Sequence, residues 1–280
     1  MIQVPAYLNG EYMPLEACRI SPLDRGFVFG DAVYELIPVY ARSAFYMQQH
    51  LARLARSLGQ VLIQDPYTRA QWEAIVENLV RQSESADLAV YIQVTRGVAK
   101  RDHPFPENAA PTVFAMANPL ASIADEVLQN GVALITVKDV RWKRCDIKVT
   151  GLIANILAKQ EATQASASEA ILVRDGFALE GSASNLFVVR EGIVHTHPKD
   201  NLILPGITRD FVLELLTELG LEFREQAIPE EWLYSADEIW VTSSAREVLA
   251  ATKIDQHVVG KGVPGELWRD VYALYQKRKV

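Results

Sequence analysis

The stretch Ile171-Leu172-Val173-Arg174-Asp175-Gly176-Phe177-Ala178-Leu179-Glu180-Gly181-Ser182-Ala183-Ser184-Asn185-Leu186-Phe187-Val188-Val189-Arg190-Glu191-Gly192-Ile193-Val194-His195-Thr196 decides the fold class. Asp175-Gly176, between the apolar runs 171–173 and 177–179, predicts a tight hairpin. Glu191-Gly192, between 186–189 and 193–196, predicts another. Strands joined so closely must run antiparallel, because a parallel pair needs a crossover of a dozen residues or more. Outward from this stretch the same mixture continues. Asn9-Gly10 marks a hairpin near the start. Residues 32–40 read as a strand in which Pro38 predicts an edge or a bulge. Residues 48–62 read as a helix with Leu51, Leu54, Leu58 and Leu62 on one face, and Trp72, Ile75, Val76 and Leu79 give a second. Strands follow at 88–96, 112–116 and 133–137. A helix over 152–164 is expected to turn Leu152, Ile153, Ile156 and Leu157 inward. Further on come a helix over 208–219 closed by Gly220, a strand over 238–242, and a last helix over 264–277. The periodicity lapses around 118–123. The chain therefore divides into a smaller part, 1–118, a linker, 119–123, and a larger part, 124–280, that carries the candidate reactive lysine. The class is α+β in two domains.

Composition excludes several functions. Of 280 residues, 49% are apolar and 22% charged, and the net charge of −7 disfavours nucleic acid or an anionic membrane as partner. The one basic run, Arg141-Trp142-Lys143-Arg144, stands alone. Two cysteines make no disulfide framework, and no Cys/His cluster has zinc spacing, so no metal is expected. Neither a signal peptide nor an apolar stretch of membrane-spanning length is visible, which leads to the expectation of a soluble cytoplasmic protein. No Gly-rich dinucleotide or P-loop motif is present.

The residues that can carry chemistry are scattered. Lys148 precedes Val149-Thr150-Gly151-Leu152, an apolar setting that favours the nucleophilic form of an amine; the plain alternative is a surface lysine beside a helix start. Glu180 ends an apolar strand and points into a pocket or into solvent. Gly206-Ile207-Thr208 opens a helix whose free N–H groups suit a phosphate, or Thr208 is an ordinary cap. Thr242-Ser243-Ser244 is a small hydroxyl loop that can share that phosphate, or a simple strand-end turn. Arg53 lies on the first long helix. Arg101 and His103, two apart in a loop, can jointly hold a carboxylate. From residues alone the chain reads as an anion-binding α+β enzyme with a candidate reactive lysine.

Seven motifs in order resemble the class IV (fold-type IV) aminotransferases, and within them the enzymes acting on D-amino acids. They are Asp24-Arg25-Gly26-Phe27-Val28-Phe29-Gly30-Asp31-Ala32-Val33-Tyr34-Glu35, His50-Leu51-Ala52-Arg53-Leu54, Arg101-Asp102-His103-Pro104-Phe105-Pro106-Glu107-Asn108, Arg144-Cys145-Asp146-Ile147-Lys148, Glu180-Gly181-Ser182-Ala183-Ser184-Asn185-Leu186-Phe187, Gly206-Ile207-Thr208-Arg209 and Val241-Thr242-Ser243-Ser244. The resemblance spans about Tyr7 to about Trp268. It implies a pyridoxal 5′-phosphate (PLP) enzyme of two domains that transaminates D-amino acids with a 2-oxo acid acceptor by a ping-pong route. Lys148 corresponds to the lysine that condenses with the cofactor and shuttles the Cα proton, and Glu180 to the acid on the pyridine nitrogen. Arg53, Ile207, Thr208 and the Ser243-Ser244 pair resemble phosphate ligands. Ser244 keeps the hydroxyl of the threonine found there in the family. Leu204 resembles the leucine against the cofactor ring. Tyr34, Tyr91, Arg101 and His103 resemble a trap for the substrate carboxylate, its Arg and His reaching from a partner subunit, which implies a homodimer with shared sites. Pro38 and Val149-Thr150-Gly151 depart from the family pattern. A branched-chain or (R)-amine aminotransferase, an aminodeoxychorismate lyase and a non-catalytic PLP-binding protein are the alternatives.

Overall fold

Asn9 and Gly10 adopt φ of 48° and 105°, the doubly positive turn that lets strand β1 (Pro5–Leu8) fold back on β2 (Glu11–Pro14). The computed structural model describes residues 4–279. The described residues form two compact units, one of residues up to 121 together with 147–151, the other of 122–146 and 152–279.

After the hairpin, the first unit continues with a short helix α1 (Arg25–Phe29), β3 (Ala32–Tyr40), β4 (Ser43–Ala44), helices α2 (Met47–Gln60) and α3 (Arg69–Gln82), β5 (Leu88–Thr95) and β6 (Thr112–Pro119). The strands make one sheet in the order β2-β1-β6-β5-β3-β4. Alternation is regular in β5, where Val90, Ile92 and Val94 face the core with α2 and α3, and Ala89, Tyr91 and Gln93 occupy the other face. On α2 the residues at helical spacing, His50, Leu51, Arg53, Leu54, Ser57 and Leu58, are buried. Thr68 starts α3 with a reciprocal capping box to Gln71.

Strand β3 has one fully paired flank, on β5, and a flank that is only partly covered. At one end of it residues 148–150 lie alongside: the Tyr34 N–H donates to the Lys148 carbonyl at 3.0 Å and the Thr150 N–H to the Ala32 carbonyl at 3.1 Å. At the other end β4 pairs with Val39 and Tyr40. Pro38 lies just short of β4, on a flank where its missing N–H costs nothing, as an edge position predicts.

In the second unit come α4 (Asp125–Asn130), β7 (Val132–Lys138), α5 (Ile153–Gln164), β8 (Glu169–Arg174), β9 (Phe177–Gly181), β10 (Asn185–Arg190), β11 (Ile193–Thr196), α6 (Ile207–Glu218), β12 (Phe223–Glu225), β13 (Ile228–Pro229), β14 (Glu238–Ser243), β15 (Glu247–Ile254), β16 (His257–Val258) and α7 (Glu266–Arg278). The path β10-β14-β15-β7-β8-β9 returns to its start, because Glu180 of β9 lies opposite Asn185 of β10. Both predicted hairpins are present, with positive φ at Asp175, Gly176, Glu191 and Gly192. The core gathers Leu134, Ile171, Leu186, Val188, Ile239 and their neighbours. No helix among the described residues is long and apolar enough to cross a membrane.

Four expectations are corrected. Lys148 belongs with the first unit, not with the larger C-terminal part, because residues 148–150 complete the flank of β3. Strand β6 runs on to Pro119, which pairs with Leu88, so the strand enters the span assigned to a linker. Leu62 follows the end of α2 at φ 57° and is exposed, since the helix stops at Gln60. On α5, Ile153, Ile156 and Leu157 are 70%, 58% and 58% exposed. The face that α5 buries against β8 is the small one, Ala158 and Ala162, packed on Ala170 and Leu172.

Candidate active site

Lys148 stands at the apex of a tight bend, in which the Val149 N–H donates to the Ile147 carbonyl at 2.9 Å. Pairing to β3 fixes the backbone, and the amine Nζ lies 4.3 Å from the centre of the Tyr34 ring. Tyr34 and Tyr91 sit on the same sheet face, their ring centres 5.6 Å apart. Burial, with Tyr34 nearby, pushes the Tyr91 hydroxyl up to about 12, and it donates to Gln93 Oε1 at 2.7 Å.

On the opposite face of β3, Glu35 is fully buried. Arg53 grips it bidentately, Nε to Oε2 at 2.9 Å and an Nη to Oε1 at 2.7 Å, and His50 Nδ1 lies 3.0 Å from Oε1. Burial would raise the Glu35 carboxyl, but Arg53 and His50 hold it well below the usual carboxylate range. Burial lowers His50 despite Glu35. Arg53 is thus no bland surface arginine. The Glu35 and His50 roles were missed because nothing local in the sequence pairs residues 15 and 18 apart.

In the second unit Glu180 is buried at the seam where the strand path closes. Arg141 Nη1 donates to its Oε1 at 2.6 Å, Asn185 Nδ2 to its Oε2 at 3.1 Å, and the Leu204 N–H to both oxygens. Arg141 is itself clamped by Asp139 through Nε and Nη2, each at 3.0 Å. Burial pushes Glu180 up to about 7 while Arg141 and the Leu204 N–H pull it down. Arg141 is therefore an internal partner of the candidate acid and not a nucleic-acid contact. Its position in a basic run concealed this.

Helix α6 begins close by. Its N-cap is Gly206, with no side-chain cap, so Thr208 is a buried residue of the first turn and not an ordinary cap. Two observations explain the local shape. A Cβ on Gly206 would fall 1.9 Å from Asn185 Oδ1, so only glycine lets the helix start so near the acid's partner. Arg209, fully buried, ties the first turn down through His197 O and Glu225 Oε2. Asn185 Nδ2 also donates to the Leu204 carbonyl at 2.8 Å. Ser243 ends β14 and Ser244 begins the turn after it, both half-buried. Next to them Thr242, opposite Asn185, has a buried hydroxyl with no hydrogen-bond partner.

Arg101 and His103 are exposed on the loop after β5. They converge on one ring: the Arg101 guanidinium carbon lies 5.2 Å from the Phe29 centre, and the His103 ring 5.6 Å from it.

This arrangement suits PLP. Each polar contact of Glu180 donates to it, so its carboxylate is free to accept one more proton-bearing nitrogen, and the orphan Thr242 hydroxyl and uncapped α6 start offer donors to a phosphate. In family terms the match is direct. Residues 32–254 match the family model "Amino-transferase class IV". The chain belongs to the class IV aminotransferases. It is 41% identical to a D-alanine aminotransferase of Bacillus licheniformis over 96% of this chain and 94% of that one. To a D-alanine aminotransferase of Staphylococcus epidermidis it is 36% identical, over 97% and 96%. Among solved structures it resembles a T.th. branched-chain amino acid aminotransferase with pyridoxamine 5′-phosphate, with a TM-score of 0.92, 28% identity, and coverage of 99% of this chain and 94% of that one.

Proposed function

We propose that the chain moves amino groups between D-amino acids and 2-oxo acids with PLP as cofactor, as a cytoplasmic homodimer. The observation that carries the D-amino acid reading is the Arg101 and His103 pair, gathered on Phe29. It occurs in a chain that matches a D-alanine aminotransferase over nearly its whole length. When bound, PLP supplies an aldehyde for the amine and a ring that stores electrons. Lys148 would hold the cofactor through its amine, and Nζ would take the substrate's Cα proton. Glu180 holds a proton at the ring nitrogen. Arg53, Ile207, Thr208, Ser243 and Ser244 hold the phosphate, and Leu204 supports the ring. Tyr34, Tyr91, Arg101 and His103 orient the carboxylate. The exposed Ile153, Ile156 and Leu157 of α5 support a second copy as partner.

The test is the absorbance spectrum of the purified protein on adding D-alanine, then L-leucine. Loss of the visible cofactor band with D-alanine alone is the expected result, and Lys148→Ala should abolish it while lowering turnover by about 10²–10⁴-fold or more. The similar branched-chain structure favours one other reading, action on L-branched chains. A band that fades only with L-leucine would overturn the D-amino acid reading in its favour.

A further inference from the structure

The loop that presents Arg101 and His103 is held from beneath by an ion cluster of two buried arginines on one half-buried aspartate. Arg25 is 4% exposed and Arg96 8%. Both bind Asp31: Arg25 Nε to Oδ2 at 2.8 Å, Arg96 Nε to Oδ2 at 2.8 Å, and Arg96 Nη2 to Oδ1 at 3.0 Å. The rest of each guanidinium is spent on backbone. Arg25 Nη1 donates to the Asp102 carbonyl at 2.6 Å and the Pro104 carbonyl at 3.3 Å, and its Nη2 to the His103 carbonyl at 3.3 Å. Arg96 fastens the cluster to the chain after α2 through the Val61 and Leu62 carbonyls, at 2.7 and 2.9 Å. The Arg96 guanidinium carbon also lies 3.6 Å from the centre of the Phe105 ring. Phe29, on which Arg101 and His103 rest, is 4.9 Å from the Arg25 guanidinium. At the neck of the loop a Cβ on Gly97 would fall 1.9 Å from the Ala110 carbonyl oxygen, so the two ends close against each other.

We propose that Arg25, Asp31 and Arg96 form a clamp that sets the register of residues 101–105, and that Arg25 is a positioning residue for substrate-carboxylate recognition by Arg101 and His103. Four of the five donors of a planar guanidinium match three successive carbonyls and one carboxylate oxygen, a pattern no lysine can reproduce. Burial alone would raise the Asp31 carboxyl, but Arg96 and Arg25 hold it below the usual range, so Asp31 stays a carboxylate at neutral pH. The inference rests on the reading of Arg101 and His103 as carboxylate ligands.

The test compares Arg25→Lys, Arg101→Ala and the double variant as holoenzymes. Arg25→Lys is expected to raise KM for both D-alanine and 2-oxoglutarate by about 10–100-fold, the scale of a misplacement near 1 Å, while kcat and the cofactor spectrum change little and the melting temperature falls by a few degrees, as loss of buried hydrogen bonds requires. Hydrogen exchange over 99–106 should quicken, and the double variant should be no worse than Arg101→Ala alone. Phe105→Leu, at an exposed position that does not endanger folding, should raise KM about 2–5-fold through loss of the Arg96 contact. If Arg101→Ala raises KM while Arg25→Lys and Phe105→Leu leave KM and exchange unchanged, the clamp is overturned. If Arg101→Ala itself leaves KM unchanged, the carboxylate-trap reading falls, and with it the purpose assigned to the clamp.

Discussion

Glu180 accepts from Arg141, Asn185 and the Leu204 N–H. Its carboxyl ordinarily titrates near 4.5, as it would in the unfolded chain, and burial pushes it up to about 7 in the folded one. Between those values the folded state binds more protons than the unfolded state, so this group's stabilising share is present below 4.5 and is lost as pH rises through 7. Glu180's share of the apoprotein's stability should therefore shrink from about pH 5 to about pH 8, against the buried histidines His50 and His195, whose lowered values act in the opposite sense; the melting temperature of the wild type minus that of Glu180→Gln, in which the histidine share cancels, should decline over that range, and thermal melts of both at several pH values check it. Residues of this kind were only half legible. Lys148 and Glu180 stand in motifs that can be read along the chain. Arg141 and Asp139, which support Glu180, and Glu35 with His50, which hold Arg53, can be recognised as partners only when segments distant in sequence meet, and Arg141 in particular looked like part of a solvated basic run.

Among the elements, α6 and α5 make opposite demands. Helix α6 starts tightly: Gly206→Ala puts a methyl into Asn185 Oδ1 and should cost about 1–3 kcal/mol, lowering the melting temperature by a few degrees. Cofactor affinity should weaken as well, which a PLP titration of the apoprotein would measure. Helix α5 is loose on one side. Ile153, Ile156 and Leu157 remain exposed while Ala158 and Ala162 take the core. If α5 carries the proposed dimer contact, replacing Ile156 and Leu157 with Asp should leave the chain folded, sediment as a monomer where the unaltered protein sediments as a dimer, and reduce turnover. Periodicity identified the helix and misjudged its buried face, because an apolar stripe has the same pattern whether its own domain or another chain covers it. Turns fared better. Asn9-Gly10, Asp175-Gly176 and Glu191-Gly192 were legible since positive φ is a local requirement.

For the whole molecule, the division into two units was visible as a lapse in periodicity, but the excursion of 147–151 into the first unit was not. Short extended segments such as Lys148-Val149-Thr150 carry no period, and only the partly covered flank of β3 gives them a place.

That flank has a further consequence, for shelf life and expression yield. In the second unit the closed strand path leaves only short strands at its margins, β12, β13 and β16, of three, two and two residues. Such margins offer little template for a stray chain. On β3 of the first unit, between the Lys148 segment and β4, local bonds already occupy most of the flank, the Leu36 N–H donating to Glu35 Oε1 and the Phe45 N–H to the Pro38 carbonyl, and Pro38 itself adds no unpaired N–H for an intruding strand to bind. Pro38→Val should therefore leave turnover nearly intact yet make the protein clump on storage, faster at higher concentration, as light scattering over days would record. A residue that looks out of place in a strand then works as a guard against fibre formation.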